Sequence, residues 1–136
     1  MNKNMVKLIW NKNGLQFTAI DEQNHSIVVD TDIASGGLNQ GFKPMDLLLV
    51  ALGGCMGMDI VAILQKKGGK IERFEITLEG EKNPEHPRRY LRIKYKIECE
   101  GDYKREDLQR AFELSRDKYC SALATLKNPP EFEFNF

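Results

Sequence analysis

Three cysteines, Cys55, Cys99 and Cys120, are the residues whose type permits thiol redox chemistry. A thiol peroxidase needs one cysteine whose thiolate attacks a peroxide O–O bond to give a sulfenic acid, and a second thiol that condenses with it before over-oxidation. Cys99 does not suit either role, because it continues the apolar alternation of Leu91, Ile93, Tyr95 and Ile97 and its thiol is expected in a core. Cys55 lies in Leu52-Gly53-Gly54-Cys55-Met56-Gly57-Met58. Glycines inside a helix cost about 1 kcal/mol each relative to alanine, so something must offset them. Gly53 and Gly57 are four apart and open one helix face to a second backbone or a substrate, with Cys55 beside that opening. Cys120 follows an amphipathic segment and stands at the expected start of another helix, where unsatisfied N–H groups favour a thiolate. Taken singly, either cysteine reads equally well as an inert thiol at a packed junction. Taken together they form a redox pair only if the fold brings them into contact.

The groups available to support such a pair are few. Asp59 is four residues after Cys55 on the same helix face, and an ionised carboxylate there opposes thiolate formation. Lys43, Arg88 and Arg89, in or beside loops, are the cations that could favour the thiolate or hold a substrate. His25 and His86 lie in polar loops without ligand spacing to any cysteine, so no metal is expected. The chain carries no phosphate-cradling loop, no dinucleotide fingerprint and no Ser-His-Asp arrangement, and no bound cofactor is expected.

The elements that must position these residues follow from periodicity. Val6, Leu8 and Trp10, then Leu15, Phe17 and Ala19, then Ser26 to Asp30 predict three short strands, the first two joined as a hairpin at Asn13-Gly14. Residues 31–43 have no periodicity and three glycines and predict a long loop. Pro44 suits a first helical turn, and the apolar residues from Leu47 to Leu64 leave hardly any polar face, so a central helix buried on all sides is expected. Lys66-Lys67 and Gly68-Gly69 end it. That stretch has the length of a membrane span, but its three glycines, its mid-segment carboxylate and the lack of bracketing Trp or Tyr argue against insertion. Two long alternating strands follow, around Phe74–Leu78 and Leu91–Cys99, joined by the polar loop of residues 81–88. Leu108, Ala111, Phe112, Ser115 and Tyr119 predict an amphipathic helix, residues 120–126 a shorter one, and the alternation of residues 131–136 a closing strand.

Composition bounds the rest. A chain of 136 residues has the size of a single domain spanning residues 1–136. Twenty Lys and Arg balance twenty Asp and Glu, so no global field gathers nucleic acid or an anionic membrane. Hydrophobic residues at 41% and charged ones at 29% are those of a soluble globular protein. Three cysteines are too few for a disulfide scaffold, and no charged, apolar leader opens the sequence, which together point to a reducing cytoplasm. A helix apolar on every side needs more cover than short strands in one such chain supply, so an obligate homodimer is expected.

The order of three strands, a glycine-rich loop, Pro44-Met45-Asp46-Leu47-Leu48-Leu49-Val50-Ala51-Leu52-Gly53-Gly54-Cys55, a long hairpin with Glu85-His86-Pro87 in its loop, and Leu114-Ser115-Arg116-Asp117-Lys118-Tyr119-Cys120 resembles the OsmC/Ohr family of osmotic-stress and organic hydroperoxide proteins. The resemblance spans nearly the whole chain. It implies an α+β, OsmC-like fold, with antiparallel sheets around a long buried central helix, built as an intertwined homodimer. It also implies reduction of organic hydroperoxides, with Cys55 peroxidatic and Cys120 resolving, and with an external dithiol or lipoyl-type reductant. Active family members place a glutamate directly after the helix-initial proline and an arginine in the N-terminal strands. Here Met45 follows Pro44, and no arginine precedes Arg73. A chain that had lost peroxidase activity would instead bind a small apolar ligand, or sense oxidants through the same thiols.

Overall fold

The alternating residues of the first thirty positions pair into an antiparallel sheet of β1 (Val6–Trp10), β2 (Phe17–Asp21) and β3 (Ser26–Val29), in that order across the sheet. The register sets Leu8 opposite Ala19, and Ala19 opposite Ile27. This is a computed structural model, and it describes residues 2–136. The β1–β2 connection is wider than a tight Asn13-Gly14 turn. Asn11 N donates to Gln16 O at 2.9 Å and Gln16 N to Asn13 O at 3.2 Å, so Leu15 belongs to the connection rather than to β2. Lys12 and Gly14 both take left-handed backbone there, with φ of 60° and 56°.

Residues 31–43 are irregular but ordered. A 3-10 turn at Ile33–Ser35 is capped by Asp32, whose Oδ1 accepts from Ser35 N at 2.8 Å. The buried carboxylate of Asp30 fastens the loop by accepting from Thr31 N at 2.8 Å, Leu38 N at 3.1 Å, Gln40 N at 3.1 Å and Gln16 Nε2 at 3.1 Å. Burial pushes the Asp30 carboxyl up, but these hydrogen bonds, led by Gln16, outweigh burial and hold it at about 2. The chain then returns beside β3, where Asp30 N donates to Phe42 O at 3.0 Å. A Cβ at Gly41 would lie 2.3 Å from the Val28 carbonyl oxygen, so the close approach requires glycine.

Helix α1 (Pro44–Lys66) begins at its proline and ends at Gly68, where φ is 85° and Gly69 N donates to Leu64 O at 2.9 Å. Leu52, Met56, Ile60 and Leu64 recur every four residues and form its buried stripe. The expectation of burial on all sides is corrected here: Val50 is 49% and Met58 76% exposed. The reason is geometric, since packing against one layer buries one face of a helix. By length and composition α1 could cross a bilayer, yet its glycines receive a sheet, with Gly53 against Leu78 and Gly57 against Phe74 and Ile76.

The chain divides into two units, the first ending at Leu48 and the second running from Leu49 to Phe136. In the second unit β4 (Lys70–Lys82) and β5 (Tyr90–Asp102) form a long antiparallel hairpin that pairs Phe74 with Cys99, Ile76 with Ile97 and Leu78 with Tyr95. Glu75 and Glu98 stand opposite one another, and the Arg73 guanidinium, 3.0 Å from Glu75 and 3.3 Å from Glu100, relieves the repulsion. Helix α2 (Arg105–Leu114) follows, with Leu108, Ala111 and Phe112 turned to the core formed by Met56, Ile60 and Leu64. Cys99 packs against that core, as its place in the alternation predicts.

Two departures concern the C-terminal region. The amphipathic pattern through Tyr119 reads as one continuous helix, but after Leu114 the backbone widens into a π-helical turn at Ser115–Tyr119 before α3 (Ser121–Lys127). Residues 131–136 are not a strand. Phe132 is 71% and Phe134 85% exposed, and alternation cannot make a strand where, among the described residues, no sheet edge pairs with it.

Candidate functional site

The second unit brings Cys55 and Cys120 together. Cys55 is half-buried in the middle of α1, while Cys120 is 3% exposed at the residue that precedes α3. The two thiols interact, the Cys55 side chain pushing the Cys120 thiol up. Burial is the chief cause that pushes the Cys120 thiol up. The Leu123 backbone N–H pulls it down, and the Cys55 side chain, with the charge of Asp59, pushes it further up.

The π-helical turn makes this meeting possible. An extra residue in the turn lets Cys120 N donate to Ser115 O at 2.8 Å and carries Cys120 inward. Ser115, fully buried, donates its Oγ–H to Asp59 Oδ2 at 2.7 Å, which ties the turn to α1 one helical turn beyond Cys55. Asp59 is thus part of the thiol site, held by a serine whose helical spacing alone marks it as a core position. Tyr95 of β5 is the other member missed from the sequence. Its ring packs on the core, and its hydroxyl is buried without a hydrogen-bond partner. Burial pushes that phenol up, and the charges of Cys120 and Cys55 add to the effect.

The expected cations lie in exposed segments. Arg88 and Arg89 are exposed in the β4–β5 loop, where Asn83 N donates to the Arg89 carbonyl at 2.9 Å, and among the described residues neither guanidinium forms an ion pair. Lys43 is exposed just before α1, its carbonyl accepting from Leu47 N at 3.1 Å. Among the described residues no group of three or more His, Cys, Asp or Glu is placed to hold a metal ion.

A cavity of about 510 Å³ opens in the second unit, with Tyr95 in its wall. Met56, Tyr95, Ile97, Leu108, Phe112 and Leu123 give it apolar walls, and Gln109, Arg116 and Lys127 add polar ends. The Arg116 guanidinium is occupied by Asp117, at 2.7 and 2.9 Å, and lies 5.1 Å over the Phe112 ring.

Residues 36–135, which include both cysteines of the pair, match the family model of the OsmC-like proteins. The chain belongs to the OsmC-like family. Within it, Protein YhfA of Escherichia coli K12 is 35% identical over 115 residues, which cover 84% of this chain and 83% of that protein. A hypothetical protein from Aquifex aeolicus VF5 has a crystal structure with a TM-score of 0.81 and 32% identity, covering 95% of this OsmC-like chain and 90% of its own. An organic hydroperoxide resistance protein from Legionella pneumophila shares the fold at a TM-score of 0.62, with 11% identity over 94% of this chain and 91% of that one. The OsmC-like fold is therefore α+β, with two antiparallel sheets and three helices.

Proposed function

We propose that this OsmC-like protein reduces organic hydroperoxides by a two-cysteine mechanism, with Cys55 peroxidatic and Cys120 resolving. The observation that carries this reading is that two thiols from separate helical segments meet closely enough for Cys55 to push the Cys120 thiol up, since a resolving thiol must already be in reach of the sulfur it rescues. The upward push on Cys120 supports the assignment, because it keeps that sulfur protonated while Cys55 serves as nucleophile. The Cys55 thiolate attacks the terminal oxygen of the hydroperoxide. The O–O bond breaks, the alkoxide leaves as the alcohol after taking a proton, and Cys55 becomes a sulfenic acid. Cys120 then attacks the oxidised sulfur, forming a disulfide and releasing water. An external dithiol, of lipoyl type or similar, restores both thiols and is itself oxidised to a disulfide. Lys43, Arg88 or Arg89 supplies the cation that favours the Cys55 thiolate.

The working form in this proposal is a homodimer in the cytoplasm, where thiols stay reduced. What supports the dimer is apolar surface that a single chain leaves uncovered: Val50 and Met58 on α1, Val6, Leu8 and Trp10 on β1, and Phe132 and Phe134 near the C-terminus. The zero formal charge offers no reason to add nucleic acid or a membrane as partner.

The test is catalytic. With a dithiol reductant, the purified protein should consume cumene hydroperoxide over many turnovers, Cys55→Ser should not, and Cys120→Ser should stall after about one equivalent. A second reading, as a non-catalytic binder of a small apolar ligand or a thiol sensor of oxidants, draws on the apolar cavity. It predicts no multiple turnover by the wild type.

A further inference from the structure

Tyr95 has a feature that packing does not explain. Its ring fits the core between Met56, Ile97 and Phe112, where phenylalanine would serve equally well. Its hydroxyl, however, is the buried side-chain polar atom left without a partner among the described residues. Leaving such a group unpaired costs about 1–3 kcal/mol, so its presence calls for a partner that is absent in the resting state. The same hydroxyl faces the field of both Cys55 and Cys120, yet neither sulfur accepts from it. A buried donor in the cavity wall that feels both thiols and bonds neither is placed for an atom added to one of them.

We infer that the Tyr95 hydroxyl is the hydrogen-bond donor to the oxygen that a hydroperoxide transfers to Cys55. The inference deepens the peroxidase reading and rests on it. In the step itself the Cys55 sulfur supplies an electron pair to the terminal peroxide oxygen, the S–O bond forms, and the O–O bond breaks. The pair from that bond leaves on the alkoxide, which takes a proton from water. The sulfur is oxidised and the peroxide reduced by the same two electrons. Tyr95 keeps its proton throughout and donates to a lone pair of the transferred oxygen, which is retained in the sulfenic acid, while the negative charge passes from sulfur to the departing alkoxide. In the next step Cys120 displaces that oxygen as water, carrying the Cys120 proton, and the tyrosine returns to its unpartnered state. A donor aimed at such an oxygen in an apolar wall acts on the transition state more than on the resting thiolate.

The test compares Tyr95→Phe with wild type in two single-turnover reactions of Cys55: oxidation by cumene hydroperoxide, followed by intact mass, and alkylation by iodoacetamide, which adds no oxygen to sulfur. Oxidation should slow about tenfold or more. Alkylation should stay within about twofold across its pH profile, and the melting temperature should not fall, since phenylalanine removes an unpaired polar group. Equal oxidation rates for a reactive wild type and the variant would overturn this inference and leave the peroxidase reading standing. Equal slowing of both reactions, or a loss of thermal stability that accounts for the slowing, would also overturn it in favour of thiolate tuning or packing. A wild type inert to hydroperoxide would overturn both.

Discussion

Cys120 holds its proton because it is buried and is pushed up by the Cys55 side chain and the Asp59 charge, and each cause can be removed separately. Asp59→Asn deletes the charge and should lower the Cys120 pKa, so Cys120 alkylation in the Cys55→Ser background should become faster near neutral pH, read by peptide mass spectrometry. Ser115→Ala removes the 2.7 Å donor to that carboxylate and should destabilise the protein by about 2 kcal/mol in urea unfolding, as expected for a buried hydrogen bond to a charged group. Among the cations, one of Lys43→Ala, Arg88→Ala or Arg89→Ala should slow Cys55 alkylation about tenfold, the loss that one unit of thiolate stabilisation produces. The two cysteines were legible from type and setting, and Asp59 from its i+4 spacing. Tyr95 and Ser115 were not, because each sits at an inward position of an apolar pattern, and periodicity does not say whether a hydroxyl on that face has a partner.

The loop of residues 31–43 owes its order to one carboxylate. The Asp30 pKa of about 2 lies below the ordinary value of 3.8, so its contribution to stability is present in full above that ordinary value and is lost as pH falls from there through 2. Acid unfolding followed by circular dichroism should show this loss between about pH 4 and pH 2, and Asp30→Asn, already weaker at neutral pH, should show less of it. Gly41→Ala should weaken the same element, because the new methyl would meet the Val28 carbonyl oxygen at 2.3 Å. No periodic signal marks such a loop, so its fastening by Asp30 escaped the sequence. The limits of α1 did not, since Pro44, Gly68 and Gly69 act locally. The π-helical turn was hidden for the opposite reason: Ser115 and Tyr119 satisfy ordinary helical spacing, while the widening begins at the Ser115 that is tied to Asp59.

At the scale of the molecule, the helix expected to be buried on every side covers one stripe within a single chain, and the proposed homodimer is what closes the rest. Sedimentation at micromolar concentration should give twice the 15.6 kDa chain mass, and Met58→Glu, on the open face of α1, should shift the population toward monomer or unfolded chain. The alternation of residues 131–136 expresses a preference for pairing that this chain alone does not meet, so the expected strand is missing for want of an edge. The central claim, that the fold joins Cys55 and Cys120 into one redox unit, is tested most directly by adding one equivalent of cumene hydroperoxide to the reduced protein and mapping the product by mass spectrometry. The account predicts loss of two hydrogen atoms per chain and a Cys55–Cys120 crosslinked peptide, with Cys99 still free. An unreacted protein, or oxidation that leaves Cys120 a free thiol, would contradict it.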